Sequence, residues 1–143
     1  MANQLRIILD TNWYVSATIN RTSRRRLFSL LTNPKLTIVY SSDLIKEYEK
    51  VMARDKFKKY VRPNQIKRFI ELVLTRLVEF EVKSIKEGSR DISDNYLLGL
   101  SVDSNADYLV TGDPDLLVLG NIEGTIILNM ADFLIRLQDI EQK

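Results

Sequence analysis

The amino-acid sequence predicts an α/β fold in which helical layers cover a parallel sheet. Short apolar runs without polar alternation recur along the chain, and strands that are covered on both faces have this pattern. Segments with helical periodicity separate the runs, and strands that alternate with helices are typical of a parallel sheet. With 143 residues, 45% of them hydrophobic, the chain is long enough for one core. We therefore expect a single domain over residues 1–143, without internal repeats or linkers.

Five segments of the sequence are predicted strands. The first, LRIIL, is a continuous apolar run rich in isoleucine, and the last, GTIIL, follows a glycine turn signal. The segment VEFEV is the weakest candidate of the five. In chain order the predicted strands are residues 5–9, 36–40, 78–82, 107–111 and 124–128. The predicted helices between and after them are residues 22–32, 42–53, 63–77, 94–104 and 129–138.

The residue types that are missing limit both the chemistry and the compartment. The chain has no cysteine, which excludes disulfides and thiolate metal sites and favours a reducing compartment. It has no histidine, which excludes the commonest general base and the commonest transition-metal ligand. The amino terminus lacks a signal-peptide pattern, and no apolar run approaches the roughly 20 residues of a transmembrane helix. We expect a cytoplasmic protein in which catalysis depends on carboxylates, lysines or hydroxyls.

Two aspartates directly follow predicted strands. Asp10 comes after LRIIL, and Asp113 comes after YLVT, where Thr111 and Gly112 form the bend. In open α/β sheets, ligands bind outside the carboxyl ends of the strands, at the point where the strand order reverses. Each aspartate also fits the N-cap of a following helix, and Pro114 would then occupy the first helical position. A capping role and a catalytic role therefore both stay open for each residue.

Two further carboxylates are predicted to face inward from helices. On the second predicted helix, Glu47 lies three residues after Leu44 and four before Val51, so it falls on the apolar stripe. Burial of an unpaired carboxylate is costly, so Glu47 needs a cation, a metal, water access or a position at the edge of the stripe. Asp94 stands at the head of the buried face of the fourth predicted helix, where an interaction with the helix dipole is the alternative.

The four carboxylates are expected to meet at one edge of the sheet. Like charges in a cluster repel one another and raise some of their pKa values, unless a divalent cation holds the cluster together. Oxygen ligands without histidine or cysteine select a hard ion, Mg²⁺ or Mn²⁺. The pattern therefore predicts a metal site and catalytic centre formed by Asp10, Glu47, Asp94 and Asp113.

Four stretches resemble the PIN-domain family, in order and over nearly the whole chain. They are RIILDTNWYVSA, SSDLIKEYEKVM, RDISDNYLLGLSVDSNADYLVTGDPDLL and TIILNMADFL. The branch that they resemble is the PIN-type, VapC-like toxins of toxin-antitoxin pairs. The resemblance implies a three-layer α/β/α fold with a five-stranded parallel sheet, and Mg²⁺-dependent cleavage of single-stranded RNA. It also implies a homodimer and a cognate antitoxin as partner.

The resemblance also assigns site residues. The family's four acidic positions match Asp10, Glu47, Asp94 and Asp113, and its polar companions match Asn12, Thr111, Asp91 and Asp115. Asn95 stands where relatives often carry a further acid, which weakens the expectation of a second metal ion. Trp13 and Tyr14 stand where small aliphatic residues are usual, and they are expected at the pocket rim or at a dimer contact.

Two basic segments are expected to contact the RNA backbone. Lysines and arginines in such segments neutralise phosphates, although many charge runs are simply solvated surface. The predicted RNA-binding residues are Arg24, Arg25 and Arg26 in the first segment and Lys58, Lys59 and Arg62 in the second.

The helix predicted at residues 63–77 has an apolar stripe that is relevant to the oligomeric state. Its apolar stripe is wide for a small domain, so either the domain's own helices or a second copy of the chain covers it. Trp13 and Tyr14 are expected to need cover as well. The second reading predicts a two-fold homodimer with both acidic pockets on one accessible face. The stripe consists of Ile66, Phe69, Ile70, Val73, Leu74 and Leu77.

Two other function classes stay open. A catalytically weak module that binds RNA or protein would keep the fold and little metal affinity, but the presence of all four acids disfavours it. A phosphatase with Asp10 as nucleophile would normally carry a second aspartate two residues later, where this chain has Asn12. The main expectation is a Mg²⁺-dependent endoribonuclease that belongs to a toxin-antitoxin pair.

Overall fold

The computed structural model describes residues 4–83 and 95–142, which form a central sheet with flanking helices. The strands are β1 (Leu5–Leu9), β2 (Leu36–Tyr40), β3 (Val78–Glu79), β4 (Tyr108–Val110), β5 (Asn121–Ile122) and β6 (Thr125–Leu128). The helices are α1 (Thr11–Ile19), α2 (Arg21–Leu31), α3 (Ser42–Met52), α4 (Pro63–Leu74), α5 (Asn95–Ser104), α6 (Pro114–Leu117) and α7 (Met130–Glu141). A short 3-10 helix spans Asp55–Phe57.

The six strands form one sheet in the order β3-β2-β1-β4-β6-β5. Neighbouring strands are parallel except for β5 and β6, which are antiparallel. The chain moves outward from β1 to β2 and β3, and then returns to the other side of β1 with β4. The strand order therefore reverses between β1 and β4. The crevice outside the carboxyl ends of these two strands is the place where sheets of this kind bind ligands.

The core is built around the two strands at this reversal. Ile7, Ile8 and Leu9 are consecutive in β1 and are all buried, as expected for a strand that is covered on both faces. Helix α5 contacts both β1 and β4, α7 contacts β4, and α2 contacts β2. Because β1 and β4 lie in the middle of this packing, side chains at their carboxyl ends are held in fixed positions.

The predicted α/β class is confirmed, but the sheet has six strands instead of five and is not wholly parallel. All five predicted strands are present, although the one at residues 78–82 is reduced to Val78–Glu79. The additional strand, β5, forms a hairpin with β6 through Glu123 and Gly124, whose φ angles are 44° and 97°. Turns with two positive φ values fit the twist of a hairpin and favour glycine. A strand of two residues has no periodicity that a sequence could reveal.

The predicted helices are present with small shifts of their ends, and two helices are additional, α1 and α6, which follow the possible caps Asp10 and Asp113. Two of the five buried residues of α1 are Thr11 and Thr18, so its buried face does not appear as a hydrophobic stripe in the sequence. Helix α4 ends at Leu74 rather than at residue 77, because the chain turns there towards β3. Among the described residues no helix is both long and apolar enough to cross a membrane.

Candidate active site

Asp10 lies at the point where the strand order reverses. Its backbone N–H donates to the carbonyl of Val110 at 3.0 Å, so the pairing with β4 continues beyond the end of β1. Its side chain is only 7% exposed. Oδ1 accepts from the backbone N–H of Asn12 at 3.1 Å, and Oδ2 accepts from the hydroxyl of Thr111 at 2.6 Å. These two bonds hold the buried carboxylate in one orientation.

Thr111 connects Asp10 with Asp113. Its hydroxyl donates to Asp10 and accepts from the backbone N–H of Asp113 at 3.0 Å. The side chain of Asp113 in turn accepts from the backbone N–H of Asp115 at 2.9 Å. One buried hydroxyl therefore fixes the two aspartates that follow β1 and β4 relative to each other.

Both predicted helix caps are confirmed. Asp10 is the N-cap of α1, and Asp113 is the N-cap of α6 with Pro114 at the first helical position. A carboxylate has about four lone-pair sites, so a capping bond leaves acceptor capacity on each aspartate. Capping and a second role at the same residue are therefore compatible.

Burial raises the pKa of Asp10 above its ordinary value. The hydrogen bonds from Thr111 and Asn12 lower the pKa in part, because they stabilise the charged form, whereas the charges of Glu47 and Asp113 raise it further. Two carboxylates thus act on a third, Asp10, at this edge of the sheet. In the part of the chain that the structure describes, no lysine or arginine forms an ion pair with Asp10 or Glu47.

Glu47 reaches the site from α3. Leu44 and Tyr48 are buried on the same helix and Glu47 is half-buried, in agreement with its predicted place on the inward stripe. Its Oε2 accepts a hydrogen bond from the hydroxyl of Thr11 at 2.9 Å and another from the hydroxyl of Tyr96. Hydroxyl groups of α1 and α5 therefore compensate for the partial burial of this carboxylate.

Tyr96 connects α5 with this cluster. Burial raises the pKa of its hydroxyl well above the ordinary value, and the hydrogen bond to Glu47 raises it further. The negative charges of Glu47 and Asp10 act in the same direction. The hydroxyl therefore stays protonated and serves as a donor, and it lies 2.9 Å from the hydroxyl of Thr11, the residue that follows Asp10.

Thr11 and Tyr96 are the site residues that the sequence did not reveal. Thr11 directly follows Asp10, and Tyr96 stands immediately before the buried pair Leu97 and Leu98. A tyrosine at the border of a buried helix face usually needs a partner for its hydroxyl, which is the only signal that was available. This signal does not identify the residue that accepts the hydrogen bond from the hydroxyl.

Two predicted site residues, Asp91 and Asp94, lie outside the described residues. The inward face expected after Asp94 is observed, because Leu97, Leu98 and Ser101 are buried on α5. Within residues 4–83 and 95–142, no three carboxylates form a group with metal-ligand spacing. The four-acid site stays a prediction, and of its three described members Glu47 and Asp113 both act on Asp10 at one edge of the sheet.

The described companion residues contribute in different ways. Thr111 contacts Asp10 through its side chain. Asn12 has an exposed side chain and contacts Asp10 through its backbone N–H, and Asp115 contacts Asp113 through its backbone N–H. Replacement of the side chain at Thr111 should therefore disturb the carboxylates more directly than replacement at Asn12.

The donor atoms at this edge fit a hard divalent cation. The described acids offer oxygen atoms alone, which Mg²⁺ and Mn²⁺ prefer, and the chain has no histidine or cysteine to select a softer metal. A bound cation would also offset the burial and the repulsion that together raise the pKa of Asp10. Asp10, Glu47 and Asp113, together with Asp94, are the residues that could hold it.

The predicted RNA-binding residues differ in their surroundings. Arg24 is half-buried, and its Nε and Nη2 donate to the carbonyls of Ala17 and Thr18 at 2.9 and 3.0 Å. This arginine therefore binds the carboxyl end of α1, a structural role that the sequence did not predict. Lys58 forms an exposed ion pair with Asp55 at 2.8 Å. The remaining predicted cations are exposed: Arg25, Arg26, Lys59 and Arg62.

The expectation that Trp13 and Tyr14 both need cover from a second copy is wrong for Tyr14. Its side chain is 0% exposed, because α1 packs against α2 and α3 of the same chain. Trp13 is half-buried and packs against the core. The aromatic pair is thus mainly part of the core of the single chain.

Comparisons with known proteins agree with this fold. A family model described as a PIN domain matches residues 6–115. The structure is similar to a chain in the crystal structure of VapBC2 from Rickettsia felis, which is bound to a DNA fragment from the VapBC2 promoter. The two chains are 20% identical with a TM-score of 0.59, and the similarity covers 87% of this chain and 98% of that chain. The structure is also similar to PAE2754 from Pyrobaculum aerophilum, with 19% identity, a TM-score of 0.61 and coverage of 94% and 90%. No curated protein sequence matches significantly.

Proposed function

The chain belongs to the PIN-domain family, and from this premise we propose that it is a Mg²⁺-dependent endoribonuclease that cleaves single-stranded RNA. We further propose that it is the toxin of a toxin-antitoxin pair. The reaction would be the hydrolysis of a phosphodiester by water. Its products would carry a 5′-phosphate and a 3′-hydroxyl, unlike the products of metal-free ribonucleases that use the 2′-hydroxyl.

One observation supports the proposal most strongly. Asp10 is buried at the reversal of the strand order, both of its oxygens accept hydrogen bonds, and the charges of Glu47 and Asp113 act on it. No side-chain cation among the described residues forms an ion pair with Asp10. A fold that buries a carboxylate beside two others without such a cation is destabilised by their repulsion, which a metal site would remove.

The acids of the chain provide the ligands, and their neighbours keep these ligands in place. Asp10, Asp94 and Asp113 would hold the metal, and Glu47 would orient the attacking water or hold a second ion. When bound, Mg²⁺ supplies an activated water and neutralises charge on the phosphate during in-line displacement. Thr111 keeps Asp10 and Asp113 in register through its hydroxyl. Groups that orient metal ligands in this way contribute substantially to affinity and activity.

The exposed cations are suited to the backbone of the RNA. Arg25 and Arg26 on α2, and Lys59 and Arg62 near the start of α4, are exposed and available for phosphate contacts. Such contacts neutralise phosphates without reading the sequence, and they weaken as the salt concentration rises. Arg24 would contribute less, because two of its nitrogens bind carbonyls of α1.

The proposed partner is an antitoxin protein. The VapBC2 chain from Rickettsia felis supports this proposal through the likeness of its fold. A short reading frame directly upstream that encodes a DNA-binding motif and a disordered tail would support it further. An arginine or lysine in such a tail could reach the acids at the strand ends and neutralise them.

Removal of divalent metal tests the proposed reaction. We expect the pure protein to cleave single-stranded RNA with Mg²⁺ or Mn²⁺, to lose this activity in EDTA, and to regain it when excess Mg²⁺ is added, because the acids alone supply no activated water. Asp10→Asn, purified in parallel, controls for contaminating ribonucleases. Cleavage that persists in EDTA contradicts the metal mechanism. If the protein binds RNA but does not cleave it under any of these conditions, it is a binding module of the same fold.

Light scattering tests the proposed homodimer. The domain covers Ile70 and Val73 of the α4 stripe, but Ile66, Phe69 and Leu74 are only partly buried, and Leu72 on the same helix is 55% exposed. We expect, at micromolar concentration, a mass of twice the 16.6 kDa of one chain. Leu72→Lys should shift the mass towards one chain. Ile135→Lys, at an equally exposed position on α7, serves as the matched control. A strictly monomeric wild type contradicts the dimer and leaves the nuclease proposal intact.

A further inference from the structure

Two hydroxyl groups hold one oxygen of Glu47. Tyr96 from α5 and Thr11 from α1 both donate to Oε2, and the two hydroxyl oxygens lie 2.9 Å apart. Thr11 is 2% exposed, so solvent does not replace these contacts. Three helices therefore meet at a single carboxylate oxygen, since Glu47 itself belongs to α3.

The number of hydroxyl hydrogens limits the hydrogen bonds that Thr11, Tyr96 and Glu47 can form with one another. Each hydroxyl has one hydrogen, so only two of the three oxygen–oxygen contacts can be hydrogen bonds at the same time. A carboxylate accepts but does not donate, and hydrogen bonds to an ionised acceptor are stronger than those between two neutral hydroxyls, so both hydrogens go to Glu47 when it is ionised. The contact between Thr11 and Tyr96 then has no hydrogen of its own. Oε2 is thereby occupied, and Oε1 has no hydrogen bond among the described residues.

We propose that Tyr96, together with Thr11, is a positioning residue that fixes Oε2 of Glu47 and leaves Oε1 to act on the metal or on the attacking water. This inference rests on the proposed function. It also implies that only Oε1 of Glu47 is available to the metal. Glu47 would then bind the metal through this one oxygen or through a water, and not as a bidentate ligand. Tyr96 does not touch the reacting atoms; it acts through Glu47.

Tyr48 and Thr18 form a second pair of tyrosine and threonine hydroxyls in the same molecule, but no carboxylate contacts this pair in the described residues. The hydroxyl of Tyr48 lies 2.6 Å from the hydroxyl of Thr18, which donates to the carbonyl of Tyr14 at 2.7 Å. Both pairs are tyrosine–threonine contacts that link α1 to another helix. Tyr48 is 0% exposed and lies next to Glu47 in the sequence, but its hydroxyl does not contact Glu47. It is therefore a matched control for the loss of one buried tyrosine hydroxyl.

The experiment compares Tyr96→Phe with Tyr48→Phe in the full chain. Calorimetric titration with Mn²⁺, without RNA, measures metal affinity, and thermal melting in EDTA measures stability. We expect Tyr96→Phe to weaken Mn²⁺ binding by about 10-fold, the lower end of the effect of groups that orient metal ligands. We expect Tyr48→Phe to bind Mn²⁺ as the wild type does, although both variants lower the melting temperature by similar amounts.

A Glu47→Gln background separates positioning from other causes. If Tyr96 acts through Glu47, the additional Tyr96→Phe change has no further effect on Mn²⁺ affinity there. Equal Mn²⁺ affinities of Tyr96→Phe and wild type, or an undiminished effect in the Glu47→Gln background, would overturn the inference while leaving the proposed nuclease intact. A wild type that binds neither Mn²⁺ nor Mg²⁺ would overturn both, so the two failures can be distinguished.

Discussion

We expect Asp10→Asn to lower the rate of RNA cleavage by at least about 100-fold, because groups that only orient a metal ligand already contribute about 10–100-fold. Asparagine is nearly isosteric with aspartate, and its one oxygen can still accept the bond from the backbone N–H of Asn12, while its amide group can donate to the hydroxyl of Thr111. It removes the negative charge that would bind the metal. The rate is measured with a labelled single-stranded RNA at saturating Mg²⁺, and Asp139→Asn, at an exposed position on α7, is the control.

The stability of Asp10→Asn, unlike its cleavage rate, should not fall. The pKa of Asp10 in the folded chain is raised, because the folded state disfavours the charged carboxylate. The wild type therefore loses the contribution of Asp10 to its stability as the pH rises through this pKa. In EDTA at pH 7 the variant should therefore be as stable as the wild type or more stable. Below the ordinary aspartate pKa of about 3.9, the two proteins should converge. Wild-type cleavage rates in the variant would remove Asp10 from the site.

The second large effect is expected at Glu47. Glu47→Gln should reduce cleavage by about 10–100-fold, as for other groups that bind or orient a metal and its water. It should change the free energy of unfolding little, because glutamine keeps an oxygen that can accept from Thr11 and Tyr96. A structural ion pair would behave differently, since breaking a buried pair costs about 3–5 kcal/mol.

Chemical denaturation and the cleavage assay distinguish these roles of Glu47. Glu49→Gln on the same helix is the matched control, because Glu49 is exposed and faces away from the site. If Glu47→Gln loses about 3 kcal/mol of stability or more and still cleaves RNA, Glu47 is structural. The hydroxyl partners of Glu47 would then be parts of a packing contact between three helices.

The fold could be predicted from the sequence to the extent that burial leaves a pattern. The run LRIIL has no polar alternation because both faces of β1 are covered, and this identified a central strand correctly. The stripe on α3 correctly placed Glu47 inward. Helix α1 was indicated only by the possible cap at Asp10 and not by an apolar stripe, because its buried face includes Thr11 and Thr18. Strand β5 was not predicted, because a two-residue strand depends on the partner strand rather than on its own sequence.

The candidate site was predictable where a residue follows a strand and unpredictable where it depends on packing between helices. Asp10 and Asp113 were found because the carboxyl ends of strands at a reversal are the usual place for ligands. Tyr96 was missed because its partner, Glu47, is 49 residues away in the chain and comes close only when α3 and α5 pack. The structural role of Arg24 was missed for a related reason, since nothing in a basic run shows that one member binds helix carbonyls.

The pairing of β1 with β4 has a consequence for the time at which the proposed active site can form. Thr111 lies 101 residues after Asp10 in the chain, and ribosomes that add about 5–20 residues per second need roughly 5–20 s to synthesise that length. During this interval β1 has no strand at one of its edges, and Asp10 lacks its hydroxyl donor. The carboxylate cluster that we propose as the catalytic site can therefore assemble only late in translation. The proposed ribonuclease would therefore spare its own message until residue 111 of 143, more than three quarters of that message, has been read.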